Sequence, residues 1–357
     1  MYKPNYHITD GLLNKIAEIE AIRSTVNSSY ILPEREIEMR YRATVEATHS
    51  STSIEGNPLN IKQVEKVLSD KKPLTRHQYA EIEVKNYKKA MDWIDRRKNH
   101  ASEKISDEDI LTIHEIIAKD LLDKEKIGAW RKNPVYIENQ NGETVYDGPT
   151  AKTVPQEIAK LLAWLNDESY SIHPVIAAAI LHFQFVSIHP FADGNGRTTR
   201  ALITLYLGLR DYDFRGPLVL DSYYSTDKAS YYKALHTVQG QNYATAQTAV
   251  LNPWLDYFAN GFLTSAHVLA AEVALLSNLA KDSQIRQKIS RDEADILSYI
   301  KQFGSITLSE AEGVLVSTPR RTIQRKLKNL VDAGYIEPTG VTNGTKYTIT
   351  SQNNPHK

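Results

Sequence analysis

The sequence predicts a mainly α-helical protein that ends in a winged helix-turn-helix, and three observations support this fold class. Apolar residues recur at helical spacing, among charged ones, through most of the first 280 residues. One segment departs from this pattern: the β-prone runs 135–137 and 144–146 flank Asn141-Gly142, a dipeptide typical of a tight hairpin turn. Beyond residue 292, three helical patterns precede two short β-prone runs, which is the element order of a winged helix.

The first half of the chain carries five predicted helices. They cover residues 11–23, 34–53, 61–68, 78–96 and 106–122. The second should stop at Gly56-Asn57-Pro58, because glycine accepts the left-handed conformation of a helix end and proline cannot continue a helix. The fifth begins at Ser106, with Asp109 three residues later as a weakened capping box. The hairpin that follows is either a surface loop or a flap that holds an extended partner segment by strand addition.

In the second half, a helix is predicted from Pro155 to about residue 165. The next helix, 174–186, is apolar on most faces and is expected to be the central buried one. Further helices are predicted at 198–210, 230–238, 254–279, 293–303, 307–314 and 318–333, with strands at 335–336 and 347–349. We expect an N-terminal helical region (1–100), a core (101–280), a linker (281–291) and a C-terminal winged helix-turn-helix domain (292–357).

The composition is that of an ordinary soluble globular protein. Among the 357 residues, 43 Lys and Arg balance 43 Asp and Glu, which argues against a nucleic-acid coat over the whole molecule. The lack of cysteine excludes disulfides and thiolate metal sites. The longest apolar-rich stretch, 175–188, is shorter than the ~20 residues that a membrane helix needs. We therefore expect a cytoplasmic protein with no membrane partner.

Twelve residues, running from His189 to Arg200 as HPFADGNGRTTR, dominate the chemistry of the chain. Gly194 and Gly196 carry no side chains, so the backbone amides of a helix start are open to an anion. Arg197 and Arg200 lie three residues apart on neighbouring helical faces, and guanidinium forks suit phosphate oxygens. The segment therefore predicts a site for a nucleotide polyphosphate.

Two further residues of the loop complete the parts for displacement at a phosphorus atom. Asp193 is placed to hold Mg²⁺ whose other ligands are phosphate oxygens and water. The neutral imidazole of His189 can take a proton from an attacking hydroxyl near pH 7. Alone, Gly-Asn-Gly is usually a turn and a histidine a packed side chain, but two arginines beside an aspartate are costly to bury without an anion. A His189–Asp193 site for another divalent metal ranks lower, because a third protein ligand is lacking nearby.

The loop resembles the Fic family signature, His-x-Phe-x-Asp/Glu-Gly-Asn-Gly-Arg-x-x-Arg, and matches every fixed position. Thr199 stands at a variable position where the family often has glycine. Residues 181–188 also look like the family's helix before the motif, and the resemblance covers roughly residues 1–280. It implies a Fic-type helical core with a β-hairpin flap that positions the target. It also implies protein adenylylation, in which AMP passes from ATP to a Ser, Thr or Tyr hydroxyl and pyrophosphate is released.

The resemblance further implies roles for single residues. His189 would be the general base, Asp193 the Mg²⁺ ligand, and Arg197 and Arg200 the partners of the β- and γ-phosphates. Tyr232 resembles the tyrosine that lines the adenine side, with Tyr223, Tyr224 and Tyr231 as close competitors. The implied ATP-binding set is Gly194, Asn195, Gly196, Arg197, Thr198, Thr199, Arg200 and Tyr232.

An inhibitory element is expected upstream. Ser51 and Glu55 lie four residues apart at the end of the second helix and share a face. On its own the segment would be a helix end with one exposed glutamate. It also resembles the Fic inhibitory motif, Ser/Thr-x-x-x-Glu-Gly/Asn, whose glutamate pairs with the second signature arginine, here Arg200, and blocks seating of the γ-phosphate. We expect autoinhibition by Glu55 within the same chain.

The third helix of the C-terminal domain is basic, with no acidic residue between positions 317 and 328. Its charged residues are Arg320, Arg321, Arg325, Lys326 and Lys328. They would contact DNA, form a solvated face, or belong to a protein-interaction or dimerisation module. The second function class is therefore a nucleotide-sensing DNA-binding transcriptional regulator, although sensing alone does not need His189.

Two other enzyme activities stay open at this point: removal of AMP from modified proteins, and transfer of a different phosphate-containing group. The expected partners are an unidentified target protein, the chain itself through self-modification, and a second copy in a homodimer.

Overall fold

The computed structural model describes residues 2–69, 78–99, 102–138, 144–216, 218–282, 290–316, 318–339 and 345–350. The helices are α1 (Asp10–Ser28), α2 (Pro33–Ile54), α3 (Ile61–Ser69), α4 (Gln78–Arg97), α5 (Asp107–Ala118), α6 (Val154–Ala163), α7 (Pro174–Ile188), α8 (Asn195–Leu209), α9 (Leu220–Thr226), α10 (Lys228–Gln239), α11 (Tyr243–Thr248), α12 (Asn252–Asp282), α13 (Arg291–Phe303), α14 (Leu308–Val314) and α15 (Arg320–Asp332). The strands are β1 (Tyr136–Glu138), β2 (Thr144–Asp147), β3 (Ile306–Thr307), β4 (Ile336–Thr339) and β5 (Lys346–Ile349). The prediction of a mainly α-helical fold is confirmed.

Local signals set several helix ends as predicted. Gly56 follows α2 with φ of +95°, a left-handed conformation that suits glycine. At the start of α5, Ser106 Oγ accepts a hydrogen bond from the Asp109 amide at 3.1 Å, and the Asp109 carboxylate accepts one from the Ser106 amide at 2.9 Å. The capping box is therefore present, with aspartate in place of the usual glutamate.

Other element boundaries differ from the predictions. The short elements α9, α11 and β3 were missed, because runs of two to seven residues show no measurable period. The helix predicted to reach residue 165 ends at Ala163 and continues as a π-helical turn, Trp164–Glu168. The predicted linker is partly helical, since α12 reaches Asp282 and α13 begins at Arg291, while residues 283–289 lie outside the described residues.

The central helix is α7, and all fifteen of its residues are buried. It packs against α6, α8 and α12, and Trp254, Phe258 and Phe262 of α12 are fully buried in the same core. By length and composition, Asn252–Ser277 of α12 is the one helix within the described ranges that would suffice to cross a membrane. In this fold α12 lies against α1 and α7.

A separate layer of α2, α3 and α4 covers one side of the core. Val45, Val64 and Val84, one from each helix, are buried together in a hydrophobic cluster. This packing fixes the axis of α2, because apolar side chains on its middle turns are held by both neighbours. The C-terminal end of α2, with Ser51 and Glu55, is thereby brought to the start of α8.

The C-terminal elements form a winged-helix arrangement. β5 is the central strand and pairs antiparallel with both β3 and β4. The sheet and helices α13, α14 and α15 enclose their own hydrophobic cluster, which Ile37 of α2 joins. The ion pair Arg40–Asp295, at 2.8 Å, adds a polar contact between α2 and α13. A separate cluster supports a domain boundary near residues 281–291, which stays a prediction.

Candidate active site

The predicted loop joins the buried helix α7 to α8, and a short backbone brace fixes its shape. Asn195 Oδ1 accepts a hydrogen bond from the Phe191 amide at 2.9 Å, and Asn195 Nδ2 donates one to the Phe191 carbonyl at 2.9 Å. Gly194 adopts φ of +79° as the N-cap of α8. The Asn195 side chain is buried, and both its oxygen and its nitrogen make a hydrogen bond to Phe191. Asn195 therefore braces the loop, and its predicted contact with phosphate stays a prediction.

His189 lies at the end of α7 in a left-handed conformation, with φ of +50°. Its Nδ1 lies 3.3 Å from the Val186 carbonyl, which fixes the proton on Nδ1 and leaves Nε2 as the proton acceptor. Burial lowers the pKa of His189 to about 4, so the imidazole is neutral at pH 7. Arg131 supports this backbone by donating from Nε to the His189 carbonyl at 2.8 Å. A neutral, oriented imidazole is the form that a general base requires.

His114 of α5 packs against the loop, a contact that was not predicted from the sequence. Its ring stacks on Phe191 with centroids 3.7 Å apart and planes 5° apart. Nδ1 accepts from the Gly128 amide at 3.1 Å, so Nε2 carries the proton and donates to the Asp193 carbonyl, also at 3.1 Å. Burial lowers the pKa of His114 to about 4 and keeps this tautomer neutral.

The Asp193 side chain is about half exposed, at 54%. Its Oδ1 accepts a hydrogen bond from the Gly194 amide at 2.6 Å, which orients the carboxylate. Within the described residues there is no group of three His, Asp or Glu side chains that would form an all-protein metal cage. A single oriented carboxylate fits Mg²⁺, which is commonly held by one or two carboxylates together with phosphate oxygens and water.

The two signature arginines are both buried and both meet carboxylates. Arg197 Nη1 donates to Glu83 Oε1 of α4 at 2.6 Å, and this partner was not predicted from the sequence. Arg200 Nε donates to Ser51 Oγ at 2.7 Å, and its Nη2 donates to Glu55 Oε1 at 2.9 Å. The Arg200–Glu55 contact expected from the resemblance is therefore present. Asp221 of α9 lies 3.0 Å from Arg200 Nε as a second carboxylate that was not predicted.

Glu55 also covers the first turn of α8. A Cβ placed on Gly196 would clash with Glu55 Oε1 and would lie 3.0 Å from the Glu55 carboxyl carbon. Only glycine therefore lets the carboxylate approach this close to the helix start. Because the first amides of a helix lack intrahelical partners and carry its positive dipole end, a carboxylate here sits where a phosphate would be bound.

Comparison with known proteins agrees with this geometry. Residues 104–207 match the Fic/DOC family model. The chain contains a Fic domain. The protein adenylyltransferase Fic of Drosophila willistoni is 31% identical over 199 residues, 54% of this chain and 38% of that protein. The corresponding protein of Culex quinquefasciatus is 30% identical over 167 residues, 46% of this chain and 32% of that protein. The chain thus spans about a third of the length of these curated relatives.

Solved structures share the fold over a larger part of the chain. A Fic family protein from Desulfovibrio desulfuricans G20 superposes with a TM-score of 0.61 at 24% identity, over 98% of this chain and 99% of its own. A Fic-domain signaling protein from Bacteroides thetaiotaomicron gives a TM-score of 0.63 at 24% identity, over 76% of this chain and 100% of its own. The first match extends the shared architecture beyond the Fic domain to the winged-helix elements.

Thr198, Thr199 and Tyr232 belong to the predicted ATP-binding set, and they lie in different surroundings in the Fic domain. Thr198 and Thr199 are fully buried, and Thr199 Oγ1 donates to the Asn195 carbonyl at 2.7 Å. Their hydroxyls are not brought to the cleft, because both residues lie on the core side of α8. Tyr232 is exposed at 39%, and desolvation together with the Glu55 charge raises the pKa of its hydroxyl to about 12. Its competitors Tyr224 and Tyr231 are buried in the core.

The β1–β2 hairpin contacts the end of α7, two residues before His189. β1 and β2 pair antiparallel, with Tyr136 opposite Asp147 and Ile137 opposite Tyr146. Tyr146 is fully buried and donates from its hydroxyl to the Ser187 carbonyl at 2.8 Å, two residues before His189. The predicted turn Asn141-Gly142 lies outside the described residues.

Proposed function

We propose that this chain is a protein adenylyltransferase that transfers AMP from ATP to a Ser, Thr or Tyr hydroxyl of a target protein. His189 Nε2 takes the proton of the target hydroxyl, and the hydroxyl oxygen forms a bond to the α-phosphorus. The bond from that phosphorus to the bridging oxygen of the β-phosphate then breaks, and pyrophosphate leaves. Relatives named protein adenylyltransferase Fic, together with the Fic/DOC family match over residues 104–207, which include this loop, support the proposal.

The residues of the loop suit the other requirements of this reaction. The α8 amides and Arg200 suit the negative charge of the phosphates. Asp193 Oδ2 is the atom that would hold Mg²⁺, which when bound neutralises phosphate charge. Val186 and Arg131 hold the imidazole and its backbone, so the base does not need to reorganise during proton transfer.

We propose further that Glu55 inhibits this transfer. One observation carries the proposal: the Glu55 carboxylate already lies over Gly196 and against Arg200, in the place of an anionic ligand. A polyphosphate and this carboxylate repel each other and compete for the same donors. The chain in this conformation is therefore expected to transfer AMP slowly.

The test is incubation with labelled ATP and Mg²⁺. Wild type should incorporate little label, Glu55→Gly more, and Glu55→Gly combined with His189→Ala none, with circular dichroism confirming that each variant is folded. Equal labelling by the His189→Ala form would contradict the assignment of the base. Mass spectrometry of labelled lysate proteins identifies the added group and the target residue, and loss of AMP from an adenylylated protein would indicate the reverse activity instead.

A second proposed activity is DNA binding by the winged helix. Arg321, Arg325 and Lys328 are exposed on one face of α15. Arg320 and Lys326 are instead paired, with Glu312 at 2.6 Å and Asp292 at 3.2 Å. Three outward cations at helical spacing suit a phosphate backbone. Binding to random duplex DNA should weaken steeply with salt, and Arg325→Ala should reduce the salt slope by about one; no binding at low salt would refute the proposal.

A further inference from the structure

The first signature arginine is held by one buried carboxylate. Arg197 Nη1 and Glu83 Oε1 are 2.6 Å apart, and each side chain is only 7% exposed. Charge-assisted hydrogen bonds of this length between buried groups are directional and fix the guanidinium plane. Glu83 belongs to α4, which packs against α8, so the contact joins the arginine to a rigid element outside the loop.

Nη2 of Arg197, which Glu83 does not use, lies near the loop. Arg197 Nη2 lies 3.7 Å from Asp193 Oδ1, beyond hydrogen-bond distance, and 3.9 Å from where a Cβ on Gly194 would be. Among the residues that the structure describes, Nε of Arg197 has no hydrogen-bond partner although it is buried. An unpaired buried N–H is costly and points to a ligand that completes it.

Glu83 is itself positioned by Asn57, in the segment that follows α2. Its Oε2 accepts a hydrogen bond from Asn57 Nδ2 at 2.7 Å, and the same amide donates to the Ala80 carbonyl at 3.0 Å. Asn57 Oδ1 accepts from the Leu59 amide at 3.0 Å, so both ends of the Asn57 side chain are occupied. Both oxygens of Glu83 thus have a fixed donor, and the carboxylate cannot rotate without losing one.

We propose that Glu83 is a positioning residue, which holds Arg197 so that its remaining N–H groups face the polyphosphate of ATP. Asn57 holds the second oxygen of Glu83 and completes the support. This inference rests on the proposed function, because it takes the loop to be the polyphosphate site. Without Glu83, the nearest acidic group to Arg197 is Asp193, and the arginine would turn toward it and away from the ligand.

The alternative is that Glu83 is only a counter-charge. The two roles predict opposite results. A carboxylate that merely competed with phosphate for Arg197 would, when removed, make the nucleotide bind more tightly. A carboxylate that aims the arginine would, when removed, make it bind more weakly, because the donors lose their geometry.

The experiment is calorimetric titration of a non-hydrolysable ATP analogue with Mg²⁺ into full-length variants that also carry Glu55→Gly. We expect Arg197→Ala to weaken binding about tenfold, Glu83→Ala to weaken it by a similar factor, and the double variant to be no weaker than Arg197→Ala alone. Glu83→Gln keeps a carbonyl acceptor for Arg197 and should recover binding to within about threefold.

Glu81→Ala is the matched control, because Glu81 is also a buried glutamate of α4 but lies 3.7 Å from Lys85 instead of contacting the site. It should leave the affinity unchanged, and it reports what loss of a buried carboxylate does to folding alone. Tighter or unchanged binding by Glu83→Ala, or additive effects of the two substitutions, would overturn the proposal. Transfer of AMP is measured in parallel: its absence in Glu55→Gly refutes the proposed function, while the binding cycle still decides the role of Glu83.

Discussion

Replacing Glu55 by glycine tests the proposed inhibition most directly. The carboxylate makes a 2.9 Å ion pair with Arg200, whose side chain is only 2% exposed, while the Glu55 side chain is 29% exposed. A hydrogen bond between charged groups contributes about 1.5–3 kcal/mol. A nucleotide that binds the same arginine must first break this bond. Since 1.4 kcal/mol is a tenfold change in affinity, Glu55→Gly should bind Mg·ATP about 10- to 100-fold more tightly than wild type.

A second substitution separates charge from occupied space. Glu55→Gln removes the charge but leaves a side chain of equal size over Gly196, so it should recover only part of this gain. Glu65→Gly, at an exposed position of α3, controls for the flexibility that glycine introduces. Affinity is measured by calorimetry with a non-hydrolysable ATP analogue and Mg²⁺. A Glu55→Gly protein that binds within threefold of wild type would refute the competition argument.

Three other outcomes are expected. Because desolvation lowers the pKa of His189 to about 4, AMP transfer by Glu55→Gly should stay level from pH 8 to about 5.5, whereas a fall centred near pH 6.5 would contradict this lowered pKa. Asn195→Ala leaves the buried Phe191 amide and carbonyl unpaired, so denaturant titration should show a loss of about 2–3 kcal/mol of unfolding free energy; an unchanged value would contradict the role of Asn195 as a brace. Burial lowers the pKa of His114 to about 4 and that of His182 to about 3, so the stability that each adds is complete above pH 6.5 and is lost as the pH falls toward these values. Protonation of each histidine should lower the free energy of unfolding by on the order of 1–2 kcal/mol between pH 7 and pH 5. An unfolding midpoint that stays constant over this range would contradict these lowered pKa values.

Much of the site was predictable because its residues are neighbours in sequence. His189, Asp193 and the glycines lie within one loop, and residues three or four apart on a helix share a face whatever surrounds them. The long helices were predictable for a similar reason, since apolar spacing reports burial directly. The Glu55–Arg200 contact was anticipated from the resemblance of a second local motif, Ser51 with Glu55, although no local rule says what that motif touches.

Other features depend on packing between distant segments. Glu83 looks like one more acidic residue on a charged helix, and its role as partner of Arg197 arises only because α4 lies against α8, 114 residues later in the chain. His114 and Asp221 reach the site in the same way, from α5 and α9. No period or spacing within either helix signals these contacts.

The sequence by itself determined the helical fold and the chemical parts of the loop, because both depend on short-range spacing of residue types along one segment. The tertiary structure decided which hydrogen-bond donors of the loop already have a partner within the protein. It turned Asn195 into a brace, buried the hydroxyls of Thr198 and Thr199, and set a carboxylate against each signature arginine. Burial makes the difference, since a charged or polar group removed from water needs a partner, and only the packed fold determines which group is close enough to be that partner.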